Sequence, residues 1–144
     1  MNAEAIFLPM LATMTLTAVV WCYLYAKRIP AMHRARISVQ TYTTPDKVAE
    51  HLSDEVNYPA YNLKNLFELP VLFYGLCLYL FVSGNVDTVY VVAAWAFFLL
   101  RTLHSIVHCT ANIVMLRFYL YASASLALWF MLGRALIAAL AVYS

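Results

Sequence analysis

Arg101, His104, His108 and Arg117 are the side chains best placed to do chemistry in this 144-residue chain. They lie in the stretch RTLHSIVHCTANIVMLR, between the apolar runs VYVVAAWAFFLL and FYLYASASLALWFML. In a helix, Arg101, His104 and His108 fall at i, i+3 and i+7, on one face. Arg117 follows across a short break. Arginine keeps its charge in a dry site, so Arg117 can bind a carboxylate or hold a thiol as its thiolate. His104 and His108 can donate hydrogen bonds or move protons. Their i, i+4 spacing can also bind a metal. With no HExxH pattern, no cysteine at ligand spacing and no carboxylate nearby in sequence, no metal site is expected.

A second polar pair, Asn65 and Glu68, stands at i and i+3 and shares a helix face. Glu68 can pair with Arg101, with Lys64 one turn back, or with the amine of a ligand. A Glu68–Arg101 pair can equally be an interhelical ion pair that only fixes packing, and Arg117 can reach lipid phosphates. Tyr90 and Tyr119 read as interface or packing residues, and Tyr121 is the tyrosine most open to a ligand role. Neither a glycine-rich phosphate loop nor a Ser-His-Asp pattern is present.

The elements that must position these groups are membrane helices. The chain is 65% hydrophobic and only 11% charged, against about 25% charged in a soluble domain. It reads as an integral membrane protein with one domain over residues 1–144. The net charge of +2 is small and scattered, which argues against nucleic acid as a partner. Cys22, Cys77 and Cys109 lack CxxC spacing and are expected to be buried free thiols. Four apolar spans are expected at about 6–26, 59–82, 88–109 and 116–142, each long enough to cross ~30 Å of hydrocarbon. Glu4 precedes the first run and Lys27 and Arg28 follow it, which suits an uncleaved span rather than a signal peptide. Thr13, Thr15 and Thr17 can bond back to the helix or face neighbouring helices.

The polar stretch 27–58 holds Lys27, Arg28, Arg34, Arg36 and Lys47, whereas Ser83–Asp87 holds no basic residue. The positive-inside rule puts 27–58 in the cytoplasm and both termini outside. The short loops suit a bacterial inner membrane. Thr44-Pro45-Asp46 predicts an N-cap, a proline at the first helical position and a short surface helix over 45–52. Pro70 predicts a kink in span two near its charged turns. The small residues Ala122, Ser123, Ala124 and Ser125 predict close helix approach in span four. Arg134, 17 residues beyond Arg117, is expected to snorkel to the outer interface.

By depth, Asn65 and Glu68, then Arg101, His104 and His108, then Arg117 occupy one level on three spans. Facing lipid, none of these groups would be stable, so several are expected to converge on one cavity.

At these residues the chain resembles the MAPEG family, the membrane-associated proteins of eicosanoid and glutathione metabolism. The resemblance covers all four spans. It rests on Asn65-Leu-Phe-Glu68 followed by Pro70, and on Arg101-x-x-His104 with Arg117 sixteen residues after Arg101. That spacing is similar to the family's prostaglandin-forming branch, and RFYLYASASLALW to its leukotriene-forming branch. The resemblance implies an all-α integral membrane four-helix bundle and a homotrimer. It further implies glutathione as co-substrate, held between protomers near the cytoplasmic face. Arg117 would favour the glutathione thiolate, Asn65 and Glu68 would bind the tripeptide, and Arg101 and Tyr121 would belong to the site. Lys27 or Arg28 would meet a glutathione carboxylate. The chain departs from the family pattern at Tyr61, where an arginine is usual, and at His108, where a tyrosine is usual.

The function so implied is a glutathione-dependent transferase or peroxidase acting on a lipophilic electrophile that enters from the membrane lipids. The other reading is a non-catalytic membrane protein that binds lipid or quinone, or an accessory subunit of a larger complex.

Overall fold

Apolar stretches this long bury their main-chain polar groups by coiling, because hydrocarbon offers no hydrogen-bond partner. The computed structural model describes residues 2–143, without the side chains of residues 142 and 143. It is all helical over those residues. The helices are α1 (Phe7–Ala35), α2 (Pro45–His51), α3 (Asp54–Leu66), α4 (Leu69–Val82), α5 (Thr88–Cys109) and α6 (Val114–Tyr143). A 3₁₀ turn, Ala3–Ile6, leads into α1, and another, Val39–Thr41, lies in the polar stretch. Four helical stretches are long and apolar enough to cross a membrane: Ala3–Ala35, Asp54–Val82, Thr88–Cys109 and Val114–Ala141. They have the length and composition of membrane spans.

Local chemistry sets the element ends. The Thr44 side chain accepts from the Lys47 N–H and Pro45 opens α2, as the Thr-Pro-Asp sequence leads one to expect. The Asp87 carboxylate accepts from the Tyr90 N–H at 3.1 Å and starts α5. Gly84, at φ +69°, makes the tight turn of the α4–α5 hairpin. Thr13, Thr15 and Thr17 each bond back one turn, to Pro9, Leu11 and Thr13, at 2.8, 2.9 and 3.2 Å.

Two boundaries differ from the expectation. Helix α1 does not stop near Ala26 but continues through Pro30 to Ala35, where Arg36 caps it in the left-handed region at φ 52°. Polar residues mark where a chain leaves hydrocarbon, not where a helix must end. For the same reason α3 starts at Asp54 rather than Pro59. The connection between α1 and α3 is therefore shorter than 27–58.

Span two is broken, not merely kinked. Helix α3 ends at Leu66, Glu68 takes φ −95° and ψ −101°, and α4 begins at Leu69 with Pro70 in its first turn. Pro70 has no N–H for the carbonyl one turn back, and its ring crowds that carbonyl.

Helix α6 packs chiefly on α5, α1 lies against α3 and α5, and α4 leans on α1 and α6. The main core joins Ile6, Phe73, Cys77, Leu80, Phe97, Ala124, Leu128 and Met131. The Phe73 and Phe97 rings stack at 4.4 Å. Ala124, from the small-residue stretch, is wholly buried. Most of each span's apolar surface is left unburied by the chain itself. Leu8, Leu11, Val92, Leu99, Leu126 and Ile137 are among the exposed apolar residues, a surface suited to lipid.

Cys77 and Cys109 are buried free thiols, but Cys22 is exposed on α1, against the expectation. Arg134 does more than snorkel. Its Nη1 donates to Asp87 Oδ1 at 2.8 Å and its Nη2 to Oδ2. Its guanidinium also lies 4.4 Å from the centre of the Tyr90 ring. This contact ties α6 to the start of α5 at the end of the bundle opposite the basic stretch.

Candidate functional site

The break before Pro70 creates the first contact of the site. It leaves the Asn65 carbonyl without the N–H one turn on, and with a long main-chain bond, 3.4 Å, from the Glu68 N–H. Arg101 Nη2 donates to that carbonyl at 2.7 Å. Arg101 is 0% exposed and lies 5.2 Å from the Tyr121 ring centre. It therefore acts from inside the bundle, behind the cleft described next. Glu68 does not pair with it. No ion pair joins the two among the described residues. The carboxylate instead accepts from the Tyr121 hydroxyl at 3.4 Å. The broken turn points Glu68 outward, and Arg101 is already bound to the main chain.

One turn further along α5, His104 is 2% and His108 3% exposed. Their rings meet edge to face at 5.4 Å. His104 Nδ1 lies 2.9 Å from the Arg117 carbonyl oxygen. A carbonyl only accepts, so His104 carries its proton on Nδ1. His108 Nε2 lies 2.8 Å from Arg117 Nη1. A guanidinium only donates, so His108 Nε2 accepts and its proton sits on Nδ1. Both imidazoles thus carry a proton on Nδ1. Among the described residues no cluster of His, Cys, Asp and Glu could hold a metal ion.

Arg117 Nη1 also donates to Asn112 Oδ1 at 2.8 Å. Asn112 sits in the α5–α6 break at φ 48°, and its N–H bonds the Val107 carbonyl at 2.7 Å. Asparagine tolerates this left-handed conformation better than most residues.

These groups face an open cleft of about 500 Å³ lined by Tyr61, Lys64, Asn65, Glu68, His104, His108, Arg117 and Tyr121, with Val114 and Phe118. Of the residues picked out from the sequence, the cleft brings together Asn65, Glu68, His104, His108, Arg117 and Tyr121. Arg101 lies buried behind it. Lys27 and Arg28 are elsewhere in the protomer. Lys27 Nζ donates to the Glu55 carbonyl at 3.2 Å and lies over the Tyr23 ring. Lys27 is thereby turned toward the start of α3.

Sequence reasoning missed Asn112 and the buried Asn62. Asn62 Oδ1 accepts from Ser105 Oγ at 3.3 Å, and its Nδ2 approaches Cys109 Sγ at 3.5 Å. Both are asparagines at places where polarity is otherwise unexplained, a helix break and an apolar helix face. That was the available signal.

Buried polar atoms need partners. Among the described residues Arg101 Nε and Nη1, His104 Nε2 and His108 Nδ1 are buried with no protein partner. The site thus keeps donors and one acceptor in reserve. Between α4 and α6, further along α6 from the cleft, runs an apolar groove of about 530 Å³ that includes Leu72, Leu76, Tyr79, Leu128, Trp129 and Leu132.

A search of curated proteins and a search of solved structures gave no match. The model of the MAPEG family matches residues 6–137, nearly the whole chain. The four membrane-length helices and the length of that match lead to one conclusion: this chain belongs to the MAPEG family.

Proposed function

We propose that this protein is a membrane-bound glutathione-dependent enzyme, a transferase or peroxidase that acts on a lipophilic electrophile. The observation that carries this reading is Arg117 in a cleft that also presents Lys64, Asn65 and Glu68. Glutathione has two carboxylates, one ammonium and one thiol. Two cations, one carboxylate and an amide complement those groups, and about 500 Å³ lies within the ~300–1,000 Å³ usual for small-molecule sites. The residues therefore fit the tripeptide.

Glutathione would supply the sulfur nucleophile. Glu68 takes the amino group, Asn65 and Lys64 orient the peptide, and Arg117 holds negative charge on the sulfur. A fixed cation beside developing or resident charge in a water-poor site is worth far more than in water. Arg101 keeps the broken turn of span two in place. The hydrophobic co-substrate lies in the apolar groove, within reach of lipid.

The same reading includes a homotrimer with the basic end in the cytoplasm. Lys64 and Glu68 are exposed in one protomer although they belong to a membrane-length helical stretch. A neighbouring protomer covering the cleft removes them from lipid. Lys27 or Arg28 of that neighbour then has a route to a glutathione carboxylate.

The test is conjugation of glutathione to a generic aryl halide by purified protein in detergent. Wild-type protein turns over and Arg117→Ala loses at least about 100-fold in kcat/KM, the scale of a lost charge-stabilising donor. Equal rates for the two proteins remove the proposal.

A second reading is a non-catalytic lipid or quinone binder. The apolar groove favours it, being at least as large as the polar cleft. A co-purifying lipid or quinone, together with no heat on glutathione titration, selects it.

A further inference from the structure

We infer that Asn112 and His108 form a two-acceptor clamp on Arg117 Nη1, and that Asn112 is a positioning residue for the thiolate. The inference rests on the glutathione reading above. Nη1 carries two protons. One goes to His108 Nε2 and the other to Asn112 Oδ1, both at 2.8 Å. That nitrogen is then fully used. Among the described residues Nη2 and Nε have no protein hydrogen bond, so three N–H groups are left for a ligand in the cleft.

The main chain of Arg117 is held as firmly. Its N–H donates to the Ile113 carbonyl at 3.0 Å, and its carbonyl accepts from His104 Nδ1 at 2.9 Å. A long, flexible side chain is thereby fixed at both ends before any ligand arrives. This is the preorganisation that an electrostatic site needs.

The chemistry of the clamp matters as much as its geometry. Both acceptors are uncharged, an amide oxygen and an imidazole nitrogen. They orient the guanidinium without cancelling its charge. A carboxylate at either position would orient it equally well and neutralise it. The nearest cleft carboxylate, Glu68, is instead occupied by the Tyr121 hydroxyl. Asparagine at 112 meets two demands together: a neutral acceptor, and tolerance of φ 48°.

Two substitutions separate these demands. Asn112→Gly accepts the left-handed backbone and removes the acceptor. Asn112→Asp keeps both the acceptor and the backbone and adds a negative charge. The first readout is the titration of bound glutathione from thiol to thiolate, followed by ultraviolet absorbance. At neutral pH the ratio of thiolate to thiol falls about threefold in Asn112→Gly and about tenfold or more in Asn112→Asp. A tenfold fall corresponds to one pH unit in the titration. Affinity for glutathione at a pH where the thiol is protonated changes by less than about twofold.

The second readout uses no ligand. In nitrogen NMR of the unliganded protein, Arg117 Nη1 and Nη2 give separate signals when clamped and one averaged signal when free. Wild type and Asn112→Asp give separate signals, and Asn112→Gly gives one. Averaged signals in wild type overturn the clamp itself. Separate signals with unchanged thiolate titrations in both variants overturn the positioning role alone. Separate signals in a wild-type protein that binds no glutathione overturn both the role and the reading beneath it.

Discussion

Arg101 on α5 donates through Nη2 to the main-chain carbonyl of Asn65 at 2.7 Å, across the break that Pro70 imposes on span two. A charged side chain is thus satisfied by backbone rather than by a carboxylate. Removing it leaves a buried carbonyl short of its best donor, at a cost of about 1.5–3 kcal/mol for a hydrogen bond to a charged group. Arg101→Ala therefore lowers the apparent melting temperature in detergent, followed by helical circular dichroism. Arg101→Lys retains part of the loss, because one ammonium replaces a planar fork. Glu68→Gln leaves stability nearly unchanged, since Glu68 is not the partner.

The Asn62 cluster is a second structural anchor. Asn62 is wholly buried between α3 and α5, with Ser105 and Cys109 as partners. Asn62→Leu strands the Ser105 hydroxyl and lowers stability by about 1–3 kcal/mol. Adding Ser105→Ala to Asn62→Leu recovers part of that loss, because no unpaired group then remains. Thermal denaturation of the two single variants and the double variant checks this.

Acid sensitivity at the opposite end follows from Asp87. Its hydrogen bonds from Arg134 hold the carboxyl down at about 2, from an ordinary 3.8. A depressed carboxyl stabilises the fold above its unfolded value and loses that effect as pH falls through the folded one. The Asp87–Arg134 contribution is therefore constant from about pH 5 upward and is lost progressively from there down to about pH 1. Asp87→Asn lowers the melting temperature at pH 7, and its gap from wild type narrows steadily as the pH falls toward 2. A double variant with Arg134→Gln falls no further than the worse single variant.

Orientation gives a test independent of chemistry. Single cysteines placed at Ser83 and at Lys47, in a chain whose three native cysteines are replaced by Ala, report the two ends. With the basic end in the cytoplasm, an impermeant maleimide labels position 83 on intact cells and position 47 only after lysis. The reverse pattern inverts the topology.

Much of this arrangement was legible in the sequence because it depends on burial in lipid. Hydropathy outlined Thr88–Cys109, and a period of 3.6 residues put Arg101, His104 and His108 on one face. Thr44 and Pro45 announced α2. What was not legible depends on tertiary contact or backbone conformation. The Asn65 carbonyl becomes an acceptor only after the helix breaks, so a Glu68–Arg101 pair looked natural. Asn112 matters only in a left-handed break, and Asn62 only once α5 lies beside it. Lys27 and Arg28 do not line the cleft of their own chain, and Lys27 reaches instead to the Glu55 carbonyl at the start of α3.

The central claim is that the polar level of these helices holds glutathione with its sulfur charged beside Arg117. Proton release on binding tests it most directly. Calorimetric titration of glutathione at neutral pH in two buffers of different ionisation enthalpy counts the protons set free. Wild type releases close to one proton per site, and Arg117→Ala binds glutathione but releases almost none. No binding to wild type, or equal proton release from both proteins, contradicts the account.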